Sequence, residues 1–315
     1  MSIAELSASV RSEIQKVIQG QEQVIDQTLV CFLSGGHALL EGVPGLAKTL
    51  LAKCLATAVG GEFKRVQFTP DLMPSDVTGT MVFDLAATTF HLRQGPVFTN
   101  LLLADEVNRT PPKTQSALLE AMEEHAVSID GTTYPLPSPF FVMATQNPIE
   151  HEGTYPLPEA QLDRFLMKIE LDYPTEEAER AVIRLHDRGL NPHDLAAAGV
   201  RQVCGPAELQ AARAEFARLT LKDEVLEYIL QIARRTRELP QLLVGASPRA
   251  AVALMSCAKI TAAMRGRDFV TPDDVKEVAY PVLRHRLILQ PEAELEHLTP
   301  ERALDAVLAA VPVPR

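Results

Sequence analysis

The chain has 315 residues, 46% hydrophobic and 23% charged, which is enough apolar material for one large domain or two moderate ones. That balance excludes disordered, collagen-like and small disulfide-stapled proteins. Lys and Arg number 30 against 41 Asp and Glu, and the field of a chain with net charge −11 opposes nucleic-acid binding.

In chain order, the first twenty residues carry charges throughout and lack the apolar run of a leader, so they predict an amphipathic helix. The longest apolar runs, such as 30–33 and 101–104, are far short of a membrane span, and no membrane insertion is expected. Cys31, Cys54, Cys204 and Cys257 are scattered without a CxxC pair, so a reducing cytoplasm is the expected compartment. The histidines show no metal-ligand spacing; His125 and His151 read as loop or helix-end residues.

Up to about residue 170, short apolar runs bounded by Gly, Pro or Asp alternate with helical stretches, the pattern of an α/β layer structure with a parallel sheet. Strands are expected at 37–41, 63–68, 100–105, 140–146 and 166–171. Hairpins are expected over 80–92 and 126–134, the second with Asp130-Gly131 as its turn. A boundary is expected near 171–175, with Thr175 as a helix N-cap, and the pattern beyond it is nearly all helical.

The strongest chemical signal is Gly42-Val43-Pro44-Gly45-Leu46-Ala47-Lys48-Thr49, followed by Leu50 and a helical pattern. Strand, glycine loop and helix form the context a phosphate-binding loop requires, because loop and helix N–H groups converge on phosphate oxygens. Lys48 would sit on the β and γ phosphates and Thr49 would ligate Mg²⁺. Ala47 stands where the usual pattern has Gly. It is harmless in a right-handed conformation and costs about a kcal/mol or more at positive φ.

The apolar run 101–104 ends in Asp105 and Glu106, an acidic strand end suited to holding Mg²⁺ through Asp105 and polarising water through Glu106. Two surface acids after a buried strand are the alternative. Asn147, at the end of the strand expected at 140–146, suits a residue that orients water. Arg164 could reach a neighbouring subunit's γ phosphate. Ser247 and Pro248 read as N-cap and N1 of a helix, which puts Arg249 in a first turn where a cation is unfavourable. A ligand or a surface salt bridge would account for it. Phe83 and Phe90 could touch a substrate or pack their hairpin down. Arg234, Arg235 and Arg237 read as a solvated face, and Arg284 and Arg286 as a second such face or as contacts to nucleotide or a neighbour.

The stretches GVPGLAKTLLAK, LLADEVNRTPPKTQSALLEAMEE, ATQNPIEHEGTYPLPEAQLDRF and GASPRA resemble the MoxR family of AAA+ ATPases, over about residues 17–289. The resemblance implies a P-loop αβα core with a parallel sheet over 1–172 and an all-helical lid over 173–315. It makes Lys48 and Thr49 the Walker A pair, Asp105 and Glu106 the Walker B pair, Asn147 sensor 1, Arg164 the arginine finger and Arg249 sensor 2. Gln19, Gly20 and Gln21 fall in the segment that lies against adenine, and Ala before the lysine is an accepted form. Arg109 is a second interface candidate, with a structural ion pair as the alternative. The hairpins correspond to the helix-2 and pre-sensor-1 inserts. The implied activity is hydrolysis of ATP with Mg²⁺ at a core–lid cleft, in a homo-oligomeric ring read as a hexamer. The implied task is chaperone-like remodelling or maturation of a partner protein, often one with a von Willebrand factor A domain. A nucleic-acid-dependent motor and a nucleotide-gated scaffold of low turnover are the alternatives.

Overall fold

A computed structural model describes residues 1–147, 153–187, 189, 191 and 194–314, so His151 lies outside the described residues. The chain begins with α1 (Ile3–Gln15), α2 (Glu22–Leu33), β1 (Ala38–Glu41), α3 (Lys48–Ala58), β2 (Phe63–Gln67), α4 (Pro74–Thr78), β3 (Gly79–Asp84) and β4 (Thr89–Gln94). It continues with β5 (Leu101–Asp105), α5 (Pro112–Glu124), β6 (Ala126–Ile129), β7 (Thr132–Pro135), β8 (Phe141–Gln146), α6 (Glu159–Leu162) and β9 (Met167–Glu170). The remainder is α7 (Glu176–Asp187), α8 (Pro206–Arg213), α9 (Asp223–Glu238), β10 (Leu242–Val244), α10 (Pro248–Met264), α11 (Pro272–Leu283), β11 (Ile288–Leu289), α12 (Pro291–Leu295) and α13 (Pro300–Ala310).

Local chemistry accounts for the helix starts. Ser2 and Glu5 form a reciprocal capping box on α1, at 3.2 and 2.8 Å, and Ile3, Leu6, Val10 and Ile14 then line one buried stripe. The Thr175 hydroxyl accepts from the Ala178 N–H at 3.4 Å just ahead of α7, as its sequence position suggests. Ser247 caps α10 in the same way, accepting from the Ala250 N–H at 3.1 Å.

Five parallel strands form the central sheet in the order β2-β5-β8-β1-β9. Alternate residues of each strand enter different cores, as a period of two demands. Ala38, Leu40, Leu101, Leu103, Phe141, Met143, Met167 and Ile169 join one apolar cluster with α1, α2 and α3. Leu39, Leu102, Ala104, Val142 and Ala144 join the other, with Leu118, Leu119 and Met122 of α5. β1 lies between β8 and β9, whereas the next strand in sequence, β2, is at the far edge. The chain therefore reverses its winding at β1, and the crevice this leaves is at the carboxyl ends of the strands. The strands and both hairpins fall within two residues of their expected limits.

Among the described residues beyond β9 the ordered elements are helices, the antiparallel pair β10–β11, which its sequence pattern does not announce, and an isolated bridge between Thr220 and Phe269. The helices there do not close on a separate core. α10 packs on α1 and α2, and α11 packs on β9. Leu254, Cys257 and Ala258 of α10 share one apolar cluster with Ala38 and Leu40 of β1. No helix among the described residues is long and apolar enough to cross a membrane.

Candidate functional site

The glycine loop leaves the carboxyl end of β1 and turns into α3. Gly42 is required by close approach: a Cβ there would come within 2.6 Å of the Leu171 carbonyl oxygen. Gly45 has φ +90, a conformation that only glycine adopts freely. Ala47 is the N-cap of α3 with φ 60 and ψ 20, so the departure from the usual glycine falls at a left-handed position. An alanine there costs about 1–2 kcal/mol. Lys48 is the first residue of α3, and its Nζ donates to the Gly42 carbonyl across the loop. Burial pushes the Lys48 pKa down, while Asp105, Glu41 and Glu106 oppose that shift.

Asp105 and Glu106 end β5 in the same crevice. Asp105 Oδ1 accepts from the Thr145 hydroxyl at 2.5 Å, and its Oδ2 accepts from Arg65 Nε and Nη2 at 3.0 and 2.6 Å. The Thr145 hydroxyl in turn accepts from the Glu106 N–H at 2.8 Å, so one side chain of β8 fixes both acids. Glu106 is itself left-handed, with φ 57 and ψ 50. Its Oε2 accepts from Gln67 Nε2 at 2.5 Å and from Arg109 Nη1 at 3.1 Å. Arg109 is thus engaged in an ion pair with the acid of its own chain, the structural alternative for that residue.

Asp105, Glu106, Thr145 and Arg65 line a pocket of about 490 Å³ together with Gly42, Pro44, Gly45, Leu46, Lys48, Thr49, Leu50 and Asn147. Asn147 is buried at the end of β8 and faces the same space as Glu106. Val43 packs against the apolar core instead. The Thr49 hydroxyl and the Asp105 carboxylate offer the all-oxygen donor set that a small hard cation such as Mg²⁺ takes. With the N–H groups of the loop and α3, the pocket can hold a chain of phosphates and present Glu106 to a water beside it.

The other expected site residues are elsewhere. Gln19, Gly20 and Gln21 flank this crevice without lining the pocket. Gln21 Nε2 donates to the Asp172 carbonyl at 2.9 Å, Gln19 Nε2 donates back to Gln15 at 2.6 Å, and Gly20 backs onto Ala178. Arg164 and Arg249 are at the opposite end of the sheet. Both line a cleft with Ser34, His37, Glu123 and Leu166, residues that precede β1 and β9 or end α5. A four-residue strand at about 3.3 Å per residue puts roughly 13 Å between that end of β1 and the glycine loop. The lining of the loop pocket comes from residues 42–147, a second cleft between Glu41, Gln146 and Lys168 on one side and Arg284, Leu287 and Leu289 of the helical region on the other adjoins it at Gln146, and Arg249 lines neither.

Glu123 bridges the two arginines. Its Oε2 accepts from Arg164 Nε at 2.8 Å and its Oε1 from Arg249 Nη2 at 3.4 Å. The Arg164 hydrogen bond holds the Glu123 carboxyl below its usual range, with Arg249 adding to the effect. Behind them Arg286 is buried, not on a solvated face. It donates to Asp163 Oδ1 at 2.6 Å, to the Asp163 and Phe165 carbonyls at 3.1 and 2.7 Å, and to the Leu166 carbonyl at 3.1 Å. His285 Nε2 is 2.9 Å from the Phe165 carbonyl as well. The segment carrying Arg164 is thus bolted to the helical region. Arg284 pairs with Glu170 and Glu301. Phe83 and Phe90 face each other at 5.0 Å on an exposed hairpin.

Sequence reasoning missed Arg65, Gln67 and Thr145. The signal available was their phase. Arg65 and Gln67 alternate on β2, whose register sets Gln67 beside Asp105. Thr145 is the last fully buried residue before the polar end of β8.

The profile of the ATPase family associated with various cellular activities (AAA) matches residues 37–167, and that of the AAA lid domain matches 234–307. Chaperone MoxR1 of Mycobacterium tuberculosis is 46% identical over 312 residues, 96% of this chain and 81% of its own length. The uncharacterized protein YeaC of Bacillus subtilis is 45% identical over 301 residues, 96% of this chain and 92% of its own. The crystal structure of a candidate ATPase from Cytophaga hutchinsonii superposes with a TM-score of 0.90 at 44% identity, covering 99% of this chain and 96% of that one.

Proposed function

Because the chain belongs to the MoxR family of AAA+ ATPases, we propose that it hydrolyses ATP within a ring of copies of itself, a hexamer, and uses the cycle to remodel or mature a partner protein. In this reading the ATPase part is 1–172 and the helical lid 173–315. Lys48 and the loop N–H groups hold the phosphates. Thr49 and Asp105 hold Mg²⁺, which when bound neutralises the charge on the phosphate oxygens. Glu106 takes the proton of the attacking water and Asn147 orients that water. Gln19, Gly20 and Gln21 border the base. The client is a protein of the von Willebrand factor A type, and the compartment is the cytoplasm, where the free and buried cysteines suit a reducing medium.

One observation carries the ring: Arg164 and Arg249 sit together at the end of the sheet opposite Lys48. Neither serves the pocket of its own chain, whereas a neighbour docked head to tail would present its γ phosphate to both. Arginines supplied in this way are worth on the order of 10³–10⁵ in rate. The test mixes two dead variants. Lys48→Ala and Arg164→Ala are each expected to be inactive at all concentrations. Mixed in equal amounts they should recover up to about a quarter of wild-type activity, the share of interfaces that pairs an intact loop with an intact arginine. Wild-type activity per subunit should rise with protein concentration. An active Arg164→Ala, or a mixture that stays dead, would defeat the reading.

A further inference from the structure

Glu123 and Arg249 each stand at the wrong end of a helix. Glu123 is in the last turn of α5, where the helix dipole disfavours an anion, and Arg249 is in the first turn of α10, where it disfavours a cation. Local helix electrostatics disfavours both by up to about 1 kcal/mol each, and the fold sets them against each other with Arg164 alongside. The Glu123 carboxylate spreads its two oxygens over two arginines, as the oxygens of a phosphoryl group would. Its side chain keeps 36% exposure and those of Arg164 and Arg249 keep 32% and 55%, so the bridge is open to exchange with an anion arriving from outside.

We propose that Glu123 is a place-holder for a neighbouring copy's terminal phosphate: it occupies Arg164 and Arg249 in the separate subunit and yields them when ATP arrives on the adjoining surface. This rests on the reading that both arginines act in trans. Exchange of a carboxylate for a phosphate of higher charge makes assembly depend on the γ phosphate, because the lower charge and different reach of ADP give it less to offer. The carboxylate also spares the free subunit two adjacent uncompensated cations.

The test is Glu123→Gln, which keeps the shape and removes the charge. Assembly is followed by sedimentation in the slowly hydrolysing Glu106→Gln background. With ATP and Mg²⁺, adding Glu123→Gln should lower the protein concentration at half-assembly two- to fivefold, the range for releasing an exposed ion pair. With ADP it should leave that concentration unchanged. Adding Arg164→Ala and Arg249→Ala should abolish the ATP-specific gain, because no partner remains to be released. A Glu123→Gln chain that needs more protein with ATP would show that the carboxylate orients the arginines. An unchanged concentration would show that it does not compete. Either result overturns the proposal. If instead the mixed dead variants fail to complement, the trans reading itself has fallen, and the two failures are thereby told apart.

Discussion

Replacing Ala47 with glycine should make this protein more stable, although it enlarges the conformational freedom of the unfolded loop. Ala47 is held at φ 60 and ψ 20, where an L-residue with a Cβ is disfavoured by about 1–2 kcal/mol. Glycine removes that cost and adds about 0.4–1 kcal/mol of unfolded-state entropy. The difference leaves a net gain of about 0.5–1 kcal/mol. At a slope of about 3 kcal/mol/M, the urea midpoint should rise by about 0.2–0.3 M. The measurement belongs at low protein concentration without nucleotide, so that assembly does not contribute. Ala47→Val should move the midpoint the other way, since a β-branched residue is an outlier at positive φ. If Ala47→Gly lowers the midpoint, the methyl contributes more through packing than its conformation costs, and the strain argument is wrong. The strain sits in the loop whose N–H groups must converge on the phosphates, a common place for it.

Two further outcomes follow from the site and its surroundings. If Asp105 holds Mg²⁺ as proposed, its ion pair with Arg65 competes with the metal, so Arg65→Ala should lower the Mg²⁺ concentration for half-maximal ATPase activity two- to fivefold; a higher requirement would mean that Arg65 orients the carboxylate for the metal. Burial pushes the His37 pKa down to about 4, with Nδ1 accepting from the Val142 N–H and Nε2 facing the Met122 carbonyl. An unfolded histidine titrates near 6.5, so between those pH values the unfolded chain carries the extra proton and stability falls as the pH drops, by roughly 3 kcal/mol over the window. Urea midpoints at pH 7 and pH 4.5 should converge in His37→Gln relative to wild type; an equal acid loss in both would assign the effect to other groups.

The inner strands β1, β5 and β8 were legible because each is an apolar run cut off by Gly, Pro or Asp, and Leu101 to Asp105 shows this in five residues. The phosphate loop was legible because its chemistry is local. The position of Arg249 was not. Its helix start reads correctly from Ser247 and Pro248, but which pocket it faces depends on how α10 lies across α1 and α2, a choice made by packing over more than two hundred residues. Arg65, Gln67 and Thr145 were missed for a related reason. Each is unremarked alone and gains a role only through the β2-β5-β8 register. The left-handed turn at Ala47 could be posed from sequence only as a conditional.

The separation of the phosphate loop from the two arginines by the length of a strand has a consequence for symmetry. A two-fold pair could exchange loop and arginines reciprocally, but it would close on itself after two copies. The proposed ring is instead a head-to-tail stacking with a rotation, each copy giving at one end and receiving at the other. Such an arrangement has a direction, so each copy completes the site of the same-side neighbour all the way around. It also has a failure mode. A substitution that alters the rotation between neighbours without weakening their contact would leave the series unable to close, and it would grow as an open helical filament.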